Sequence, residues 1–161
     1  MNDTNLSEAR ESSLHLASLL RREHGSQADF LVALSLFDEA GAHRRLGYAN
    51  LFDYLHRELL LPRSSAHYRK VAARLIRRFP GMVEPLRRGK LCLSTVVEVE
   101  KVLTEENQAE VLPRFFGLSR QEAKELVAEL RPVEVVPRRT VFTATEAVTR
   151  SSSPVSNRKH G

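Results

Sequence analysis

"LPRSSAHYRKVAARLIRRFP", residues 61–80, carries six cations and no acidic side chain. Tyr68, Val71, Ala72, Leu75, Ile76 and Phe79 recur at intervals of three and one, which gathers them on one stripe of a helix. His67, Lys70, Arg74, Arg77 and Arg78 fall on the other side, and Arg69 flanks the stripe. The pattern predicts a helix with one buried side and a cationic outer face. Pro62 breaks the chain before it, and Ser64 or Ser65 is placed to cap its first turn. Pro80 and Gly81 end it, because proline lacks the N–H that another turn requires.

The neighbouring segments carry the same helical signals. Upstream, Asn50 with Asp53 can open "LFDYLHRELLL", in which Phe52, Leu55 and Leu59 share an inner face and His56 and Arg57 turn to water. Further back, Leu14, Leu16, Ala17 and Leu20 make a stripe that ends near His24–Gly25. Ser26 with Asp29 then caps "QADFLVALSLFDEA", apolar nearly all round and read as a central buried helix that Gly41 stops or loosens. Downstream, "MVEPLRRGKL" reads as a short helix with Gly89 behind it. Thr95 and Glu98 suggest a capping box for "VVEVEKVL", where strand competes by period alone and the helical surroundings favour helix. Thr104 can cap "EENQAEVLPRFF", which Pro113 should bend or split, and Ser119 with Glu122 opens "RQEAKELVAELR". The fold class expected is all-α: a multi-helix bundle over 13–132, a flexible N-terminus over 1–12, and an extended or disordered Ser/Thr/Pro-rich tail over 133–161.

The net charge of +5 is unevenly spread. Residues 1–60 hold six Arg against nine acids, whereas residues 61–90 hold nine Lys/Arg against Glu84 alone. A positive block between acidic flanks points to an anionic partner. No stretch has the roughly 18 uncharged apolar residues of a membrane span, and the polar start is unlike a signal peptide. A single cysteine, Cys92, excludes an internal disulfide; its Leu neighbours suggest a buried thiol. A cytoplasmic setting follows as the expectation. The six histidines show no metal-ligand spacing, with His43 and His56 read as surface or half-buried. Glu98, Glu100, Glu105, Glu106 and Glu110 read as a solvated face. No catalytic residue, metal site or cofactor is expected.

"NLFDYLHRELL", a Pro/Ser turn and "SSAHYRKVAARLIRR" have the layout of a helix-turn-helix, although the turn lacks the glycine such turns often contain. In that arrangement Ser64, Ser65, His67 and Arg69 would stand near bases or the first phosphates. Arg63, Lys70, Arg74, Arg77 and Arg78 would follow the backbone, with Arg87, Arg88 and Lys90 as a second cluster. Duplex DNA carries about one charge per 1.7 Å of axis, so each bound cation releases counterions. The partner expected is DNA; the alternative is an acidic protein partner or a homodimer, and no membrane is expected.

The ordered set "LGYANLFDYLHREL", "AHYRKVAARLIRRFP", "LRRGKLCLSTV", "LTEEN" and "SRQEAKELVAEL" followed by Pro, across residues 27–132, resembles the N-terminal helical region of bacterial HNH endonuclease family proteins of the myxobacterial type. The resemblance implies a targeting or DNA-engaging module. The nuclease of such proteins follows this region and uses paired His, Asn and often zinc-binding cysteines. Here only His160 lies beyond residue 67 among histidines, and no cysteine follows Cys92. The expectation is therefore a non-catalytic module gripping duplex DNA through helix 64–79, with an HNH-family endonuclease, implied by the resemblance alone, as the third reading.

Overall fold

The computed structural model describes residues 3–131, and all its regular structure is helical. In chain order come α1 (Asp3–Glu39), α2 (Ala42–Arg45), and α3 (Leu51–Asp53), which runs on as a π-helical turn, Tyr54–Glu58. Next are α4 (Arg63–Arg78) and α5 (Val83–Arg87), the latter entered through a 3₁₀ turn, Pro80–Met82. α6 (Leu93–Val99), α7 (Gln108–Val111) with a 3₁₀ exit, Leu112–Phe115, and α8 (Arg120–Leu130) complete the bundle. The tail expected over 133–161 lies outside the described residues.

α4 is the organising helix, lying against α1 on one side and α6 on the other. Five of the six residues of its predicted stripe are buried: Val71, Ala72, Leu75, Ile76 and Phe79 join Leu31 of α1, Met82, Leu86 of α5, and Val96 and Val99 of α6 in the main core, whereas Tyr68 is half-buried and accepts from Arg120 Nη1 at 3.0 Å. Ala66 and Ala73 add a second buried edge, meeting Leu34 of α1 and Leu51 and Leu55 of the α3 segment. Buried on two edges, α4 takes the central place that the sequence suggested for residues 27–40. The second half of α1 buries Ala28, Leu31, Leu34 and Ser35, while Ala33 and Leu36 remain exposed.

α1 corrects the expected break at His24–Gly25. It runs 37 residues through that glycine and begins at Asp3, within the segment read as flexible. A helical glycine costs only about 1 kcal/mol, and Arg87 Nη1 donates to the Gly25 carbonyl at 3.4 Å. Ser26 is therefore an interior residue. The true end is Gly41, in the left-handed region at φ 64°.

Local hydrogen bonds sort the other expected caps. The Asn50 side chain accepts from Asp53 N at 2.8 Å. Ser119 accepts from Glu122 N at 3.2 Å while Glu122 accepts from Ser119 N at 2.7 Å; that backbone N–H, and after it the Ser119 hydroxyl, lower the pKa of the Glu122 carboxyl. Neither Ser64 nor Ser65 caps α4, whose helical residues begin at Arg63 behind Pro62. Thr95 and Glu98 form no box, since α6 starts at Leu93 and both are interior and buried. Thr95 Oγ1 instead donates to the Leu118 carbonyl at 3.2 Å. Glu98, read as solvated, is tied to Lys101 Nζ at 2.7 Å and to Arg120 Nε at 3.9 Å. Thr104 closes a turn with Asn107 ahead of α7, and Pro113 converts the exit of that helix to 3₁₀. Cys92 is exposed, because it precedes α6 in extended backbone and points away from its buried neighbour Leu91.

The four-residue turn before α4 carries a cost. Leu60 has φ 57° and is 81% exposed, so a branched side chain occupies a left-handed position without burial to offset it. His56 Nδ1 lies 2.8 Å from the Leu61 carbonyl and pins the turn; Leu59, expected inside, is exposed. Leu60→Gly is expected to raise stability by about 1 kcal/mol, read as a higher urea midpoint with unchanged slope. A lower midpoint would show that the turn is not held in this conformation.

Candidate nucleic-acid interface

The outer face of α4 is built by positions 63, 67, 70, 74 and 77–78, which succeed one another by four and three residues. Because the rest of the helix is fixed in two apolar clusters, this face is held rigidly. Arg63, His67, Arg74, Arg77 and Arg78 are exposed on it and Lys70 is half-buried. Arg78 lies over the Phe79 ring, 4.9 Å from its centroid, which positions its guanidinium at the helix end.

The sequence block of nine cations against one acid is partly neutralised by α1. Asp38, its side chain only 7% exposed, accepts from Arg77 Nη2 at 2.7 Å and from Arg74 Nε at 3.4 Å. Asp29 accepts from Arg87 Nη2 at 2.7 Å, and the carboxylate raises the Arg87 pKa. Glu84 takes a second edge of Arg87 and also pairs with Arg88, both at 3.6 Å. Arg87 and Arg88 thus spend charge on holding α5 against α1 and within itself. Arg63, Lys70, Arg78 and Lys90 have no acidic partner among the described residues.

The other expected site residues divide by orientation. Arg69 turns away from the outer face: its guanidinium folds back on the Ser65 hydroxyl, and burial lowers its pKa from the ordinary arginine value. With Arg69 bound to it, Ser65 is half-buried, whereas Ser64 is exposed at the start of the helix. Lys90 is exposed beyond α5.

One contributor escaped the sequence reading. Arg44 of α2 joins Arg74, Arg77 and Arg78 around an open cleft of about 510 Å³, floored in part by Asp38 and His43. Two carboxylates, Asp38 and Glu39, also line this cleft, and Asp38 already engages Arg74 and Arg77, which leaves Arg44 and Arg78 as the guanidiniums there without an acidic partner among the described residues. His43, expected at the surface or half-buried, is fully buried at 4% exposure; its Nδ1 stands 3.9 Å from Asp38 Oδ1 and has no hydrogen-bond partner among the described residues. The signal available was "AHRR" at 42–45, but it lies about thirty residues before Arg74 and outside the basic block.

Asp38 thus both supports and competes. Asp38→Asn is expected to lower stability by about 1 kcal/mol, since the two guanidiniums then meet a neutral amide in place of a carboxylate and both are exposed enough for solvent to screen the loss. If this face meets duplex DNA, the same change should strengthen binding roughly fivefold at low salt, because it removes a carboxylate that holds Arg74 and Arg77. Denaturation and anisotropy titrations on one preparation read both effects. Weaker DNA binding by a folded variant would contradict this role.

Among the described residues, no group of three or more His, Cys, Asp or Glu is placed to hold a metal ion. Nor is any helix there long and apolar enough to cross a membrane. Comparison of the chain with protein-family profiles, curated proteins and solved structures finds no match.

Proposed function

We propose that this chain is a non-catalytic helical DNA-binding module that grips duplex DNA through the outer face of α4, in the manner of a helix-turn-helix and akin to the N-terminal region of HNH endonuclease family proteins. The observation that carries the reading is the rigid cationic row of Arg63, Lys70, Arg74, Arg77 and Arg78, of which three lack an acidic partner among the described residues. Arg44 widens that row at the cleft. Exposed guanidinium and ammonium groups on a fixed helix lose little entropy on meeting phosphates, and the counterions they displace supply the driving force. Ser64 and His67, exposed on the first two turns, stand where base edges would be met.

Fluorescence anisotropy with a 20–25 base-pair duplex over a salt series tests the reading. Four phosphate contacts, by Arg63, Lys70, Arg78 and Arg44, imply a slope of log K against log salt of about −3.6. Absence of binding at low salt, or affinity indifferent to salt, would refute it.

An acidic protein partner is the second reading, and the observation favouring it is that this face already takes a carboxylate, Asp38, across two arginines. A Glu/Asp-rich peptide competing at low micromolar concentration in the same titration, with no DNA affinity above the peptide's, would select that reading.

A further inference from the structure

A cleft opens where α1 ends. Gly41, at φ 64°, turns the chain out of α1 directly into α2, and Arg44 of α2 thereby lines the same cleft as Arg74, Arg77 and Arg78 from the last turns of α4. At about 510 Å³ the cleft has the size of a small-molecule site, for which roughly 300–1,000 Å³ is usual.

Charge defines what it can take. Four guanidiniums line the cleft against two carboxylates, Asp38 and Glu39, which leaves a surplus of two positive charges. A phosphodiester carries a single negative charge. A phosphate monoester carries about 1.5 to 2 near neutral pH, with three strong acceptor oxygens, and so matches the surplus. Arg44 and Arg78 have no acidic partner among the described residues. Arg74 and Arg77 each give Asp38 one N–H, from Nε and Nη2, and both side chains are exposed. A guanidinium carries five N–H donors, so all four arginines keep donors to spare.

The buried histidine explains how Arg74 and Arg77 can be released. His43 Nδ1 is buried without a hydrogen-bond partner among the described residues, a costly state that few native polar groups keep. It stands 3.9 Å from Asp38 Oδ1, while Asp38 Oδ2 holds the two arginines. An anion that draws those arginines away strips a nearly buried carboxylate of its partners. An Nδ1–H about 1 Å beyond bonding distance is placed to take that carboxylate over. We infer that this cleft binds a phosphate monoester, as free phosphate or at the end of a small molecule such as a nucleoside monophosphate. Arg44, Arg74, Arg77 and Arg78 hold the phosphate, and His43 takes Asp38 as they turn to it.

Arg44 and Arg78 also belong to the face proposed for duplex binding, so the test contains no DNA and its failure leaves that reading standing. The full chain is titrated by NMR, slightly above neutral pH, with inorganic phosphate and separately with adenosine monophosphate. Saturable shifts are expected at Gly41, His43, Arg44 and Arg78, with a dissociation constant of about 1 mM or tighter for at least one of the two. The tighter ligand identifies the source of the phosphate. Dimethyl phosphate, a diester, should bind about tenfold more weakly or less. Arg44→Gln with Arg78→Gln should weaken phosphate binding by about tenfold or more. The wild-type His43 Nδ1 resonance should move on saturation as its bond to Asp38 forms. No saturable shift, equal shifts with sodium chloride at matched ionic strength, equal affinity for dimethyl phosphate, affinity unchanged in the double variant, or an unmoved Nδ1 resonance would overturn the inference.

Discussion

Reversing the three cations on the outer face of α4 that lack an acidic partner among the described residues, with Arg63→Glu, Lys70→Glu and Arg78→Glu together, is expected to weaken duplex binding roughly 100-fold or more at low salt. Each side chain lies on the outer face and none has an acidic partner among the described residues, so the bundle should survive the change. The largest structural loss is the stacking of Arg78 on Phe79, worth about 0.5–1 kcal/mol at an exposed site. Losing three phosphate contacts should also flatten the salt slope by about 2.7. The contrasting variant is Arg87→Glu with Arg88→Glu. Those arginines are already engaged by Asp29 and Glu84, so their reversal should reduce DNA affinity by less than about fivefold. It should instead destabilise the bundle, because Arg87 ties α5 to α1 through Asp29 and the Gly25 carbonyl. Equal losses of DNA affinity from the two variants would mean that total charge, rather than the α4 face, determines binding.

Phe79→Ala is expected to produce the largest loss of stability from a single substitution, about 3–5 kcal/mol. Phe79 is fully buried at the end of α4, where its ring closes the main core and its N–H donates to the Leu75 carbonyl at 2.7 Å. Total stabilities of domains are about 5–15 kcal/mol, so the variant should unfold well below the wild-type urea midpoint. Phe52→Ala makes the comparison specific. That ring is only half-buried beside the smaller cluster and should cost less than half as much. A loss below about 1 kcal/mol at Phe79 would contradict the central position of α4.

The features legible in the sequence are those decided within one or two helical turns. The α4 stripe, the Asn50–Asp53 cap and the Ser119–Glu122 box each depend on residues three or four apart, and the structure contains all three. Charge pairing was not legible, because its partners are remote: Asp38 lies 36 and 39 residues from Arg74 and Arg77, and Asp29 lies 58 from Arg87. Summing charge along the chain assigned those acids to a flank, whereas folding sets them against the basic block. Thr95 and Glu98 misled for a related reason. Their spacing imitates a cap, but the helix starts earlier and both side chains face inward to tertiary partners. The continuity of α1 through Gly25 was hidden because a glycine near a histidine resembles a stop, although its cost is small beside the burial of Leu31 and Leu34 further on.

The proposed contact between duplex DNA and the outer face of α4 can be read residue by residue by NMR on titration with a short duplex. Perturbations are predicted at Arg63, Ser64, His67, Lys70 and Arg78, and at Arg44 across the cleft, with the salt bridge of Arg87 to Asp29 unmoved. A spectrum unchanged by stoichiometric duplex at low salt, or shifts that leave the outer face of α4 unmoved, would rule that contact out.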